Sequence, residues 1–156
     1  MAKYTASELK PRIVSIINQH LTGWTFRWSN SRRTYGTCFH HGKTISISKP
    51  LAELNVWEQT QDTVLHEIAH ALAGASHGHD KKWKQICVEI GAKPERCYST
   101  SEVIQPVPKY YAICPSCGKV HVRNNFPRRR KYSCGYCTSV YNPDYLLEWK
   151  QNPMAE

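Results

Sequence analysis

The hydrophobic positions of this chain change period several times, and each change predicts an element. From Thr5 to His20, Leu9, Ile13, Ile16 and Ile17 fall near one helical face, Thr5 or Ser7 can cap the start, and Pro11 is tolerable in the first turn. Asn18 to Gly23 ends that helix. Trp24-Thr25-Phe26-Arg27-Trp28 then alternates large apolar with polar residues, which reads as a half-buried strand. After a loop at 29–33, Tyr35–His40 and Lys43–Ser48 read as a hairpin turning near His41-Gly42, with Ile45 and Ile47 inward and His40 and His41 facing solvent at the turn. A short turn or helix starts at Pro50. From about Val56 to Gly74 the period is helical again: Val64, Leu65, Ile68 and Leu72 cluster on one side, His66 and His70 lie roughly opposite, and Glu67 sits at the flank. Gly74 stops this helix.

A further helix opens at His79-Asp80 and runs to about Ile90, with Trp83, Ile86, Cys87 and Ile90 as its apolar stripe. Ala92 to Pro108 holds three prolines and no period, so it reads as a linker. Strand-like segments surround two cysteine knuckles between Tyr110 and Tyr141, and Asp144–Lys150 reads as a last short helix. These elements predict an α+β chain: a domain of helices with a short antiparallel sheet over residues 1–104, and a small β domain over 105–156.

Composition narrows the class. With 156 residues and 40% hydrophobic content the chain can bury one sizeable core or a core plus an appendage. No apolar run can span a bilayer and the first eight residues lack the apolar core of a signal peptide, so an intracellular protein with no membrane partner is expected, read as a monomer. Seven cysteines, an odd number, four of them in C-x-x-C pairs, favour metal over disulfides. Cys38, Cys87 and Cys97 read as packed thiols.

The net charge of +9 is segregated. Residues 1–52 hold eight Lys/Arg and one acid, 53–102 five and eight, and 103–156 eight and three. Basic flanks around a mildly acidic middle point to a polyanionic partner, most plausibly nucleic acid.

The middle carries His66-Glu67-Ile68-Ala69-His70. Histidines four apart on a helix share a face and can ligate one metal, and the adjacent glutamate can act as general base towards water there. At this composition roughly 0.02 accidental matches to the motif are expected, so the match is informative. A hydrolytic zinc site needs a third protein ligand. The pattern H-E-x-x-H-x-x-G-x-x-H fails, because Ala73 and Ser76 stand where glycine and histidine are required. Glu89 from a later helix, His77 and His79 remain. Tyr98 and the loop histidines are the candidate oxyanion donors.

His66 to Leu72, followed by His77-Gly78-His79-Asp80-Lys81-Lys82-Trp83, resembles the SprT-like metalloproteases, which include Spartan. Tyr35-Gly36-Thr37-Cys38, Thr44 to Leu51, and Ile90 to Cys97 are similar to that family as well. In it the third ligand is a histidine followed four residues later by a bulky aromatic; His79 with Trp83 has that spacing, whereas His77 is followed by Lys81. The resemblance covers nearly all of residues 5–141. It implies His66, His70 and His79 as ligands of a catalytic Zn2+, Glu67 as the catalytic base, a zincin-like fold, and protein substrates that are bound or crosslinked to DNA.

Cys114-x-x-Cys117 and Cys134-x-x-Cys137 form a four-cysteine zinc-ribbon signature, expected to hold a second, structural Zn2+ with closed coordination; His121 is surplus. Between the knuckles, Arg123, Arg128, Arg129, Arg130 and Lys131 lie near Phe126, Tyr132 and Tyr136. Cations with stackable rings suit sequence-independent binding of DNA, particularly single-stranded DNA. The expected protein is thus a zinc metalloprotease brought to DNA. The rival readings are a general intracellular metallopeptidase and a nucleic-acid-binding regulator with a protease-like fold.

Overall fold

The computed structural model describes residues 4–95 and 103–155. The chain divides into two compact units, Met1–Gln105 and Pro106–Glu156.

The first unit opens with helix α1 (Ala6–His20), whose start is closed by Glu8: its carboxylate accepts the Thr5 N–H and hydroxyl, both at 2.7 Å. Leu9, Ile13 and Ile17 are its buried stripe. Strands β1 (Thr25–Ser29), β2 (Gly36–Phe39) and β3 (Thr44–Ser48) follow. The expected hairpin pairs antiparallel, Gly36 opposite Ile47 and Phe39 opposite Thr44. The wholly antiparallel sheet does not hold, however. β3 lies in the centre and β1 runs parallel to it, Thr25 beside Thr44 and Ser29 beside Ser48. β3 is the most buried strand, from Ile45 to Ser48, and takes the position that gives both flanks a partner, which short-range alternation does not reveal.

Ser48 ends β3 and caps α2 (Lys49–Leu54), accepting the Leu51 N–H at 3.1 Å. Helices α3 (Trp57–Ala73) and α4 (Lys81–Ile90) complete the unit. Its core joins Leu9, Ile13 and Ile17 of α1 to Ile45, Ile47, Val64, Ile68, Trp83 and Cys87. Two positions on α3 depart from the wheel. Leu72 lies in the apolar sector but in the last turn, and is 42% exposed, while Glu67, expected at the flank, is 7% exposed because β2 covers that side. The described parts of the expected linker are tied to this unit. The Lys93 N–H donates to Asp62 at 2.9 Å, and Asn55 exchanges two hydrogen bonds with the backbone of Ile104, at 2.7 and 3.0 Å.

The second unit holds β4 (Tyr110–Ile113), β5 (Val120–Arg123) and β6 (Lys150–Gln151), antiparallel in the order β5–β4–β6. The helix expected over Asp144–Lys150 is absent: a 3-10 turn at Pro143–Tyr145 leads into extended chain. Tertiary pairing overrides the local preference. Cys134 N–H donates to the Tyr145 carbonyl at 2.9 Å and Leu147 N–H to the Tyr132 carbonyl at 2.8 Å, which carries Leu147 into the small core with Ala112, Cys114 and Cys134. Among the described residues no helix is long and apolar enough to cross a membrane.

Candidate metal centres

α3 reaches the first site with its orientation set by the core, since Val64, Ile68 and Ala69 are fully buried and leave His66 and His70 on the remaining face. Gly74 ends the helix at φ 97°, a backbone state that suits glycine. The chain returns through a short loop that Asp80 closes: its carboxylate caps α4 by accepting the Trp83 N–H at 3.0 Å and also pairs with His77 Nδ1 at 2.7 Å. His79, just before this cap, is thereby brought back over α3. Its Nε2 lies 3.2 Å from Nε2 of His66 and 3.2 Å from Nε2 of His70. Fully buried Trp83 supports all three imidazoles, with ring centroids 4.6–5.2 Å away.

These distances test whether a metal fits. Metal–nitrogen bonds of about 2.0–2.1 Å in tetrahedral geometry put neighbouring ligand atoms about 3.4 Å apart. The two 3.2 Å separations from His79 match an edge of that polyhedron closely, and all three ligand atoms lie within 4.8 Å of one another. Burial, reinforced by the neighbouring imidazoles, lowers the pKa of His66 and His70 to about 4, so both are held in the neutral, ligating form. Half-buried His77 pairs with Asp80 and exposed Glu89 bonds Gln85, and neither joins the cluster.

Glu67 points into β2. A Cβ built on Gly36 would stand 2.7 Å from Glu67 Oε1 and 2.8 Å from its Cγ, so the strand can pass under the carboxylate only as glycine. Burial raises the Glu67 pKa to about 7, opposed by the Cys38 backbone N–H that bonds the carboxylate. Within the family-like stretch Tyr35 to Cys38, no local pattern assigns a role to Gly36 or the Cys38 amide beyond the signal of a glycine inside a strand. His40 also differs from expectation. It is half-buried, edge-on to Trp24 and 3.8 Å from Cys38 Sγ, and its proximity helps lower the His70 pKa. Tyr98 and Cys97 lie outside the described residues.

The Gly36 contact makes a prediction. Gly36→Ala must push the Glu67 carboxylate aside, and displacement of a catalytic group by about 1 Å can cost about 100-fold. On the hydrolytic reading of the H-E-x-x-H motif, steady-state proteolysis by the variant should therefore fall about 100-fold with metal content unchanged; retained activity would show that the carboxylate position is not critical.

In the second unit Cys114, Cys117, Cys134 and Cys137 converge, with Sγ–Sγ distances of 3.8 Å (Cys114–Cys137) and 3.7 Å (Cys117–Cys134). Tetrahedral coordination at about 2.3 Å per sulfur requires about 3.8 Å, so this cluster also fits a zinc-sized ion. The Cys117 N–H, the largest influence, helps draw the Cys114 pKa down to about 7, whereas Cys137, hydrogen-bonded first to Cys117, is pushed up to about 12. Sulfurs this close cannot all ionise unless a cation lies among them. His121 places Nε2 3.2 Å from Cys134 Sγ, the position of an N–H···S donor beside the four sulfurs.

The predicted basic residues separate into two groups. Arg123 lies over the Tyr132 ring at 4.1 Å and near Trp149 at 5.5 Å, within the folded unit. Arg128, Arg129, Arg130 and Lys131 are exposed. Lys119 Nζ covers Tyr136 at 3.5 Å, and Phe126 meets Tyr110 edge-on.

Comparison with known proteins gives a consistent picture. The SprT-like family model matches residues 9–102. Protein SprT-like of Lactococcus lactis subsp. lactis (strain IL1403) is 29% identical over 117 residues, covering 71% of this chain and 74% of that protein. Protein SprT-like of Streptococcus agalactiae serotype Ia is 25% identical over 118 residues, covering 72% and 81%. No solved structure matches the chain.

Proposed function

Because the chain belongs to the SprT-like family, we propose that it is a zinc-dependent endopeptidase acting on DNA-associated or DNA-crosslinked proteins. In this reading residues 1–104 are a zincin-like protease domain and 105–156 a zinc ribbon with a basic loop. The observation that carries it is the convergence of His66, His70 and His79, with a buried glutamate on the helix that carries the first two.

His66, His70 and His79 would hold the catalytic Zn2+, and Cys114, Cys117, Cys134 and Cys137 the structural one. When bound, the catalytic ion supplies Lewis-acid polarisation of the scissile carbonyl and acidifies a water. Glu67 takes the proton from the attacking water and returns it to the leaving amine. Gly36 and the Cys38 N–H hold its carboxylate in place for both transfers. Trp83 keeps the imidazoles oriented and shields them from solvent on the core side.

Arg128, Arg129, Arg130 and Lys131 give the second unit an exposed cationic loop, suited to phosphates without base reading. Recruitment by that loop would concentrate the enzyme on proteins already attached to DNA. The test compares cleavage of one protein, free and bound to single-stranded DNA. Faster cleavage of the bound form is expected; equal rates would favour a general peptidase, and cleavage of neither would favour a binding protein.

A further inference from the structure

No acid stands between Glu8 and Glu53, a stretch with seven Lys/Arg, and the fold gathers part of that charge on one surface. The two faces of the first sheet have different contents. Towards α3 lie Phe26, Ile45 and Cys38 in one row and Trp28, Ile47 and Gly36 in the next, with Glu67 against Gly36. Away from it lie Thr25, Thr44 and Phe39, then Arg27, Ser46 and Thr37. Side-chain contacts verify this outer face: Thr25 and Thr44 hydroxyls meet at 3.0 Å, and the Arg27 guanidinium lies 4.4 Å over the Phe39 ring. Lys43 stands at one end, its carbonyl accepting the Thr25 N–H at 2.8 Å. Arg33 follows Ser31 at the other end, where the Ser31 carbonyl accepts the Ser48 hydroxyl at 2.6 Å.

Arg27, Arg33 and Lys43 are exposed, and no carboxylate among the described residues forms an ion pair with them. They mark a strip at least as long as a five-residue strand, roughly 13 Å from first to last Cα. That is room for roughly two or three phosphates of an unpaired strand, whose backbone is more extended than the ~3.4 Å rise per nucleotide of a duplex. Between the cations, Thr44 and Thr37 turn their hydroxyl protons to the Gly42 and Gly36 carbonyls, at 2.9 and 2.8 Å, so the cations carry the phosphate contacts, and a guanidinium plane backed by an aromatic ring is a platform for an unpaired base.

We propose that the outer face of the β1–β3–β2 sheet is a second nucleic-acid surface, fitted to the phosphate backbone of single-stranded DNA and separate from the loop at 128–131. The choice of polyanion rests on the functional reading above; the surface itself rests on the placement of its cations. Because Glu67 lies under the opposite face of the sheet, a strand held here leaves the candidate cleft open to the protein being cut.

The experiment measures binding of a fluorescein-labelled oligothymidylate to the metal-loaded full chain between 50 and 200 mM salt. Three proteins are compared: the parent, a triple variant Arg27→Gln, Arg33→Gln, Lys43→Asn, and a loop variant with Arg128, Arg129, Arg130 and Lys131 all changed to glutamine. Asparagine at 43 suits the positive φ of that residue. Single-strand contacts contribute about 0.7 each to the slope of log K against log salt, so the triple variant should lose about 2 from the slope. Metal content and far-UV dichroism equal to the parent exclude misfolding, and Lys43→Asn alone, with a loss of about 0.7, serves as the milder check. A triple variant that binds with parental slope and affinity overturns the proposal, and if the loop variant then loses binding, recruitment to DNA stands without this face. A parent that binds no oligonucleotide overturns both. Equal loss on duplex of the same length, or displacement by polyglutamate at matched charge, overturns the assignment to a single strand.

Discussion

Replacing Glu67 by glutamine is expected to cut proteolysis by about a thousandfold or more while leaving two metal ions per chain. General acid–base catalysis contributes about 10²–10⁴-fold, and glutamine keeps the shape of the side chain without the basic carboxylate. The 3.2 Å contacts run from His79 Nε2 to His66 and to His70, so they do not depend on residue 67. The Cys38 amide still finds an oxygen on glutamine in place of the carboxylate. Steady-state cleavage of a protein substrate and metal analysis by mass spectrometry check the two halves together. Full activity with full metal would remove Glu67 from the chemistry. Lost activity with lost metal would make the substitution a structural lesion and leave the role of Glu67 to Gly36→Ala.

Parts of this arrangement are legible from local spacing, and others are not. Two histidines four apart must share a helix face, so the proximity of His66 and His70 needs only the helical period. The return of His79 needs a tight loop and a cap, and Gly74 and Asp80 are both visible as such signals in the sequence. What places Glu67 shows there only as a lone glycine inside a strand pattern. Its neighbours Gly36 and Cys38 are about thirty residues away, and only the packing of β2 on α3 shows why the strand carries a glycine. His40 illustrates the same limit: a hairpin-turn position is normally solvent-facing, but Trp24 and Cys38 enclose this one. The parallel β1–β3 pair and the extended chain after Tyr145 were likewise decided by distant partners, Ile45 and Ile47 in one case and the Tyr132–Cys134 backbone in the other.

The same glutamate yields a second large effect, on stability. Its pKa rises from 4.5 to about 7 on folding, chiefly because burial disfavours the charge. Between these values the folded metal-free chain binds the proton that the unfolded chain has released, so stability falls as pH rises through that window and stays low above it. The full cost at high pH is about 3 kcal/mol, of which about 2–3 kcal/mol develops between pH 5 and 8. His66 and His70 act oppositely: lowered from 6.5 to about 4, they remove stability as pH falls through that range. Glutamine at 67 leaves the histidine slope and removes the carboxylate one. In chelator-treated protein, hydrogen exchange of the α3 amides reports on this unit without requiring the second to stay folded. The Glu67→Gln variant should gain about 2–3 kcal/mol over the parent from pH 5 to pH 8. Any fixed penalty for burying the amide cancels in that difference. A gap between the two proteins that is constant with pH would mean that the carboxylate is already charged and solvated in the metal-free fold, so that β2 does not enclose it.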